Sequence, residues 1–198
     1  NCYGFEFHDN DIIPFGSSAS QRDSILSEIK KIMADTGIKA TMATTNTFYH
    51  PVFKDGAFTS TDPAVRLFAT QKVMNCIDIA NELGSEIFVF WGGREGYQCL
   101  YNTDMKREVE HLARFMHMAV EHAKNIGFTG QFYFEPKPRE PMKHQYDFDA
   151  ATCINFLRSY GLEKHVKMNL ETNHATLAGH EIQHEIEYAG MQGFLGSV

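Results

Sequence analysis

The stretch DPAVRLFATQKVMNCIDIANELGSEIFVFW, Asp62 to Trp91, contains one full repeat of the fold. Asp62 suits a helix N-cap, and Pro63 takes the first helical position, where its missing N–H is no loss and its fixed φ is already helical. Val65, Ala69, Val73, Cys76, Ile77 and Ala80 recur at helical spacing and make one apolar face of a helix from about Pro63 to Leu83. Gly84 stops that helix. Ile87 to Phe90 is then a short apolar run, and it ends in the polar segment Trp91-Gly92-Gly93-Arg94-Glu95-Gly96.

The same unit recurs along the chain. Thr103 to Ile126 aligns Val109, Leu112, Met116, Ala119, Val120 and Ala123, and Gly37, Gly127 and Gly161 act as further stops. Tyr3 to Phe7, Ala40 to Ala43, Phe132 to Phe134 and Val166 to Leu170 are nearly continuous in apolar or aromatic character, the pattern of strands covered on both faces. A last run, Phe194 to Val198, follows a helix near Glu181 to Ala189. Strict alternation predicts parallel strands joined by right-handed crossovers, with about five βα units and one terminal strand. The predicted class is therefore α/β, an incomplete (β/α)8 TIM-barrel type, because a full barrel has eight strands and typically ~250 residues. A doubly wound open sheet is the competing architecture, disfavoured because no GxGxxG follows the first strand. No linker or low-complexity segment interrupts the chain, so residues 1–198 are expected to form a single domain. Asn1 opens almost directly onto a strand without an initiator Met, which predicts a cut rather than a natural start.

With 198 residues, 43% of them hydrophobic, the chain can bury a sizeable core. Eighteen Lys+Arg against 25 Asp+Glu give a net charge of -7 and no basic patch, which argues against nucleic acid as a partner. The apolar runs are too short to span a bilayer, and no signal peptide is recognisable, so neither membrane insertion nor export is expected. Cys2, Cys76, Cys99 and Cys153 form no CxxC pair and read as buried reduced thiols, which predicts a cytoplasmic protein.

In a parallel barrel the C-terminal strand ends form one rim, where catalytic side chains collect. Glu135 and Lys137 flank Pro136 at the end of Phe132-Tyr133-Phe134, and a surface Glu and Lys in a proline-rich loop is the competing explanation. Glu171 and His174 follow the next run; a carboxylate and an imidazole three residues apart can converge on one cation, or be a cap and a loop histidine. With Glu135 the donor set is rich in oxygen, which suits Mg²⁺ or Mn²⁺ better than structural Zn²⁺. After the first run, Asp11 is placed to orient His8 as a general acid/base, although a simple polar loop explains them equally. His180-Glu181-Ile182-Gln183-His184 matches HExxH, but the βα pattern and the lack of a later ligand argue against a zinc protease.

Taken together these segments resemble xylose isomerase over essentially the whole chain. The resemblance rests on Phe7-His8-Asp9-Asn10-Asp11-Ile12-Ile13-Pro14-Phe15-Gly16, Met42-Ala43-Thr44-Thr45-Asn46, His50-Pro51-Val52-Phe53-Lys54-Asp55-Gly56, Trp91 to Gly96 and Glu135-Pro136-Lys137-Pro138. The front half is similar to the shorter, actinobacterial-type branch; Tyr146 to Asp149 and Asn173 to His180 are similar to the longer-chain branch. The resemblance implies a (β/α)8 barrel, a homo-oligomer, and aldose–ketose isomerisation of D-xylose to D-xylulose, or glucose to fructose, by a 1,2-hydride shift with two divalent cations (Mg²⁺, Mn²⁺ or Co²⁺). It further implies that His8, oriented by Asp11, assists ring opening, that Lys137 binds the substrate carbonyl oxygen, and that Trp91 and Phe53 wall the pocket. Glu135, Glu171 and His174 would hold the cations, with Glu171 as the bridge. Tyr49 stands where the shorter branch has threonine, and the family's remaining metal-binding aspartates lie beyond Val198. Strands two to six and the start of seven would be present, so an open-sided, non-catalytic half-barrel with weak metal or sugar binding is the alternative expectation. Its exposed sheet edges would favour pairing with another chain.

Overall fold

A computed structural model describes residues 2–198. The chain runs β1 (Gly4–His8), α1 (Asp9–Ile12), α2 (Ala19–Thr36), β2 (Lys39–Thr44), α3 (Pro63–Leu83), β3 (Ile87–Trp91), β4 (Gly96–Tyr97) and α4 (Met105–Ile126). It continues through β5 (Gln131–Glu135), β6 (His144–Gln145), α5 (Ala150–Ser159), β7 (Val166–Asn169), α6 (Thr172–Ala178), α7 (Ile182–Met191) and β8 (Leu195–Ser197). Helix α3 begins and ends as its residues dictate: the Ala64 amide donates to the Asp62 carboxylate at 2.8 Å, and Gly84 closes the helix at φ 68°.

Six strands form one parallel sheet in the order β1-β2-β3-β5-β7-β8. Each lies beside the strand before it, with no reversal of direction across the sheet. A doubly wound sheet needs such a reversal, so the order belongs to a barrel wall. Helices α2, α3, α4, α5 and α7 cover one face of the sheet with their apolar sides. Phe7, Ala43, Phe88, Phe90, Phe132, Phe134 and Met168 are buried among them, with Phe90 and Phe132 stacked at 5.0 Å.

The other face differs from the two-sided burial expected. Glu6, His8, Met42, Thr44, Trp91, Tyr133, Glu135 and Lys167 alternate with the core residues and stay half-buried or exposed. Successive strand residues point to opposite faces, so these polar positions mark a concave face on which no helix packs. Two of the four thiols also depart from expectation: Cys76 and Cys153 are buried, whereas Cys2 and Cys99 are exposed, and all four are free. No helix among the described residues is long and apolar enough to cross a membrane.

Four short elements were not anticipated. Asp9–Ile12 and Thr172–Ala178 are helical where polar loops were expected, so Asp11 and His174 ride on helix turns. Strands β4 and β6 pair antiparallel and tie the loop after β3 to the loop after β5. Gly96 is required there, since a Cβ would lie 2.1 Å from the His144 carbonyl oxygen.

Candidate active site at the strand ends

The concave face ends at the rim in an open cavity of about 320 Å³. Inward positions of five strands line it: Glu6 and His8, Met42 and Thr44, Val89 and Trp91, Glu135, and Asn169, joined by Glu171 and His174. The period-two geometry of strands accounts for the set, because Glu6/His8, Met42/Thr44 and Val89/Trp91 are each two residues apart.

Glu135, Glu171 and His174 line the same cavity, Glu171 as an exposed residue at its edge. Glu135 Oε2 accepts a 2.7 Å hydrogen bond from the Asn169 amide, whose own oxygen accepts from Ser197 Oγ at 2.5 Å. The remaining Glu135 oxygen lies 3.5 Å from His174 Nδ1, a buried nitrogen with no hydrogen-bond partner. Burial, aided by the nearby Glu171 charge, raises the Glu135 carboxyl to about 7, although the Asn169 bond works the other way. Burial and the Lys137 ammonium lower His174 to about 4. Both groups are thus held toward their neutral forms, with an oxygen and a nitrogen facing each other unbonded. Two carboxylates and a neutral imidazole are a suitable donor set for a divalent cation, whose charge would restore Glu135 to its anion.

His8 stands across the cavity. Asp11 Oδ2 accepts the His8 backbone N–H at 3.0 Å and lies 3.2 Å from its Nδ1, so the first turn of α1 orients the imidazole. The His8 ring meets Trp91 edge-on at 6.4 Å. Lys137 is buried with its ammonium 5.5 Å from Trp91 and 5.3 Å from Phe48, and burial lowers its pKa.

The aromatic wall differs from expectation in one member. Phe53 is fully buried, stacked on Phe68 at 5.6 Å and edge-on to His50, and it does not line the cavity. The short turn Pro51–Phe53, capped by His50, directs its ring into the core. Phe48 instead packs on Trp91 at 5.5 Å, held by Arg94, whose guanidinium lies 4.3 Å over the ring while its Nε donates to the Phe48 carbonyl at 2.9 Å. Tyr49 is 79% exposed. Glu6, Thr44 and Asn169 were missed, and strand alternation was the signal for them: Glu6 lies two residues before His8, and Asn169 two before Glu171.

The loop behind Trp91 holds a second buried acid. Glu95 accepts from the backbone N–H groups of Ala57, Phe58 and Thr59 at 2.9, 3.2 and 2.9 Å and from Thr59 Oγ1 at 2.5 Å. It fastens the 56–60 loop behind the pocket. Asp147 beside it is raised to about 8, chiefly by burial.

A barrel wall with an acid–imidazole cluster at its rim is the class of site that this fold and these residues define. Residues 1–193 match the family described as Xylose isomerase-like TIM barrel, and the chain belongs to that family. It is 52% identical to a xylose isomerase of Rhodopirellula baltica and 54% identical to one of Bacillus subtilis, matching over 98% of this chain and 45% and 44% of those proteins. The chain thus spans just under half the length of these relatives. Among solved structures it superposes on an apo 3-keto-D-glucoside 4-epimerase from E. coli with a TM-score of 0.74 at 16% identity, covering 99% of this chain and 67% of that one. A D-psicose 3-epimerase from Clostridium cellulolyticum H10, solved with D-tagatose, gives 0.69 at 21%, covering 96% and 60%. These two likenesses concern the fold alone.

Proposed function

We propose that this chain carries one half of the active site of a xylose isomerase, an enzyme that interconverts D-xylose and D-xylulose, and glucose and fructose, by a 1,2-hydride shift. The observation that supports the reading is that Glu135, Glu171 and His174 line one cavity together with His8, whose ring is held by Asp11. Glu135, Glu171 and His174 would hold the cations, Mg²⁺, Mn²⁺ or Co²⁺, with Glu171 between the two positions. A divalent cation here supplies polarisation of the sugar carbonyl and the adjacent hydroxyl.

The chain's own residues do the rest. His8, with one ring nitrogen fixed by Asp11, moves a proton between the ring oxygen and the anomeric hydroxyl as the sugar opens. The Lys137 ammonium donates to the substrate carbonyl oxygen. Trp91, backed by Phe48, excludes water from the face across which hydride passes, protecting a species that water would protonate. Asn169 keeps Glu135 pointed into the cavity. The open edges of the sheet suit assembly with further chain, and a homo-oligomer is part of this proposal.

The test is conversion of D-xylose to D-xylulose by the purified chain with Mg²⁺ or Mn²⁺, against Glu171→Gln prepared identically. Turnover reduced at least about 100-fold in the variant supports the reading, since even outer-shell partners of a ligand are worth 10–100-fold. Equal rates in the two proteins overturn it for this chain and leave the half-barrel with weak metal or sugar binding.

A further inference from the structure

We infer that His180, His184, Glu185 and Asp149 form a second cation site, separate from the rim cluster and selective for a borderline ion such as Zn²⁺. One donor atom from each of His180, His184 and Glu185 lies within 4.8 Å of the others. His180 Nε2 is 3.3 Å from Asp149 Oδ2 and 3.9 Å from Glu185 Oε1. Zinc bonds of 2.0–2.2 Å in a tetrahedron set donor atoms about 3.3–3.6 Å apart, so small side-chain movements close the cluster on an ion.

The carboxylates are divided in a way that leaves one oxygen of each free of backbone donors, Asp149 Oδ2 sharing a 3.3 Å hydrogen bond with His180 Nε2. Glu185, only 4% exposed, accepts the Ala150 backbone N–H through Oε2 at 2.8 Å. Asp149 caps α5 by accepting the Thr152 N–H through Oδ1 at 2.7 Å. The other oxygen of each turns to His180. An imidazole nitrogen carries one proton and donates to one acceptor well, whereas a cation satisfies both oxygens and the nitrogen together. The His184 ring lies beside that of His180, with centroids 4.7 Å apart and planes 28° apart, and supplies the second nitrogen.

This is not the zinc-protease arrangement that the HExxH string suggests. Helix α7 begins at Ile182, so His180 precedes it, and Glu181 is an exposed N-cap rather than a member of the donor set. Glu181, the residue that would act as base in that motif, lies outside the donor set. The site is therefore a brace joining the start of α5, the turn after α6 and the first turn of α7. Two imidazoles with carboxylates favour Zn²⁺, Co²⁺, Ni²⁺ or Cu²⁺ over Mg²⁺. Glu185 also borders a narrow cleft with Phe148, Glu171 and His174, so the brace holds α6 from the end opposite His174.

The proposal is independent of the isomerase reading. The test is Zn²⁺ titration of the metal-stripped chain by calorimetry, in a Glu135→Gln/Glu171→Gln background that removes both rim carboxylates and leaves His174 as a lone rim nitrogen. One equivalent should bind, and His180→Gln and His184→Gln should each weaken it by more than about 100-fold, beyond the 10–100-fold that outer-shell changes cause. His184 is exposed, so His184→Gln leaves folding intact; with it, the rise in Tm that Zn²⁺ produces should vanish. Co²⁺ should give the intense visible bands of a four-coordinate ion. Zn²⁺ affinity unchanged in both histidine variants, or no Zn²⁺ binding in the rim-deleted background, overturns the site.

Discussion

Glu95 and Glu135 are both buried acids near the ends of adjacent strands, yet they are opposites in how their oxygens are used. Glu95 receives four hydrogen bonds from one loop, two on each oxygen. Glu135 receives one, and its other oxygen faces an unpartnered imidazole nitrogen. Burial raises the pKa of both. The perturbation alone does not separate a structural acid from a functional one; the count of satisfied lone pairs does. A carboxylate filled by backbone donors is spent on the fold, while one left partly open at a rim is available to a ligand.

Deleting the spent acid should have the largest effect. Glu95→Ala orphans three backbone N–H groups and a hydroxyl, and should lower unfolding free energy by on the order of 4 kcal/mol in urea titrations. A loss below about 1 kcal/mol would remove the contrast. The aromatics give a parallel pair: Phe53→Ala should cost about 3–4 kcal/mol as a core truncation. Phe48→Ala should cost clearly less while impairing sugar binding, measured by saturation kinetics or calorimetry.

Glu135→Gln should move stability the other way. In chelator, the folded acid keeps its proton to about pH 7 while the unfolded one releases it near 4.5, so the folded state binds more protons in between. Wild-type stability therefore falls as pH rises through that window, and glutamine has no proton to lose. The variant's advantage should be absent below pH 4.5 and grow to about 3 kcal/mol above pH 7. His174 has the opposite slope, since its folded form resists protonation down to about 4, so it works against the trend set by Glu135 over the acid part of the window. A flat difference across the window would show that the acid is spent after all. The smallest effect belongs to Asp11→Asn: the pair it forms with His8 is largely exposed, so stability should change by less than about 0.5 kcal/mol, with any larger effect confined to the pH profile of turnover.

Much of this arrangement was legible in the chain. Helix α3 was readable to the residue because Asp62, Pro63 and Gly84 punctuate it. The rim residues Glu135, Glu171 and His174 stood out because acids and a histidine lie at the ends of runs expected to be strands, although a loop or cap explained each equally. The one-sided burial of the sheet was harder, since Tyr133 and Val89 on the concave face are as apolar as the core residues beside them. Phe53 could not be placed because sequence does not say which way a capped turn aims a ring. The His180 cluster was hidden for a related reason: its ligand set joins Glu185 and Asp149 rather than the glutamate inside the motif, and only the packing of α5 against α7 brings Asp149 near.

Because each strand of the parallel sheet lies beside its predecessor, every pairing joins segments separated by no more than one crossover with its loops. The cost of closing such short loops grows only slowly with their length, so the contacts are inexpensive to form in succession. A growing polypeptide leaving the ribosome can therefore add one strand and helix at a time to a template already in place, without waiting for distant sequence.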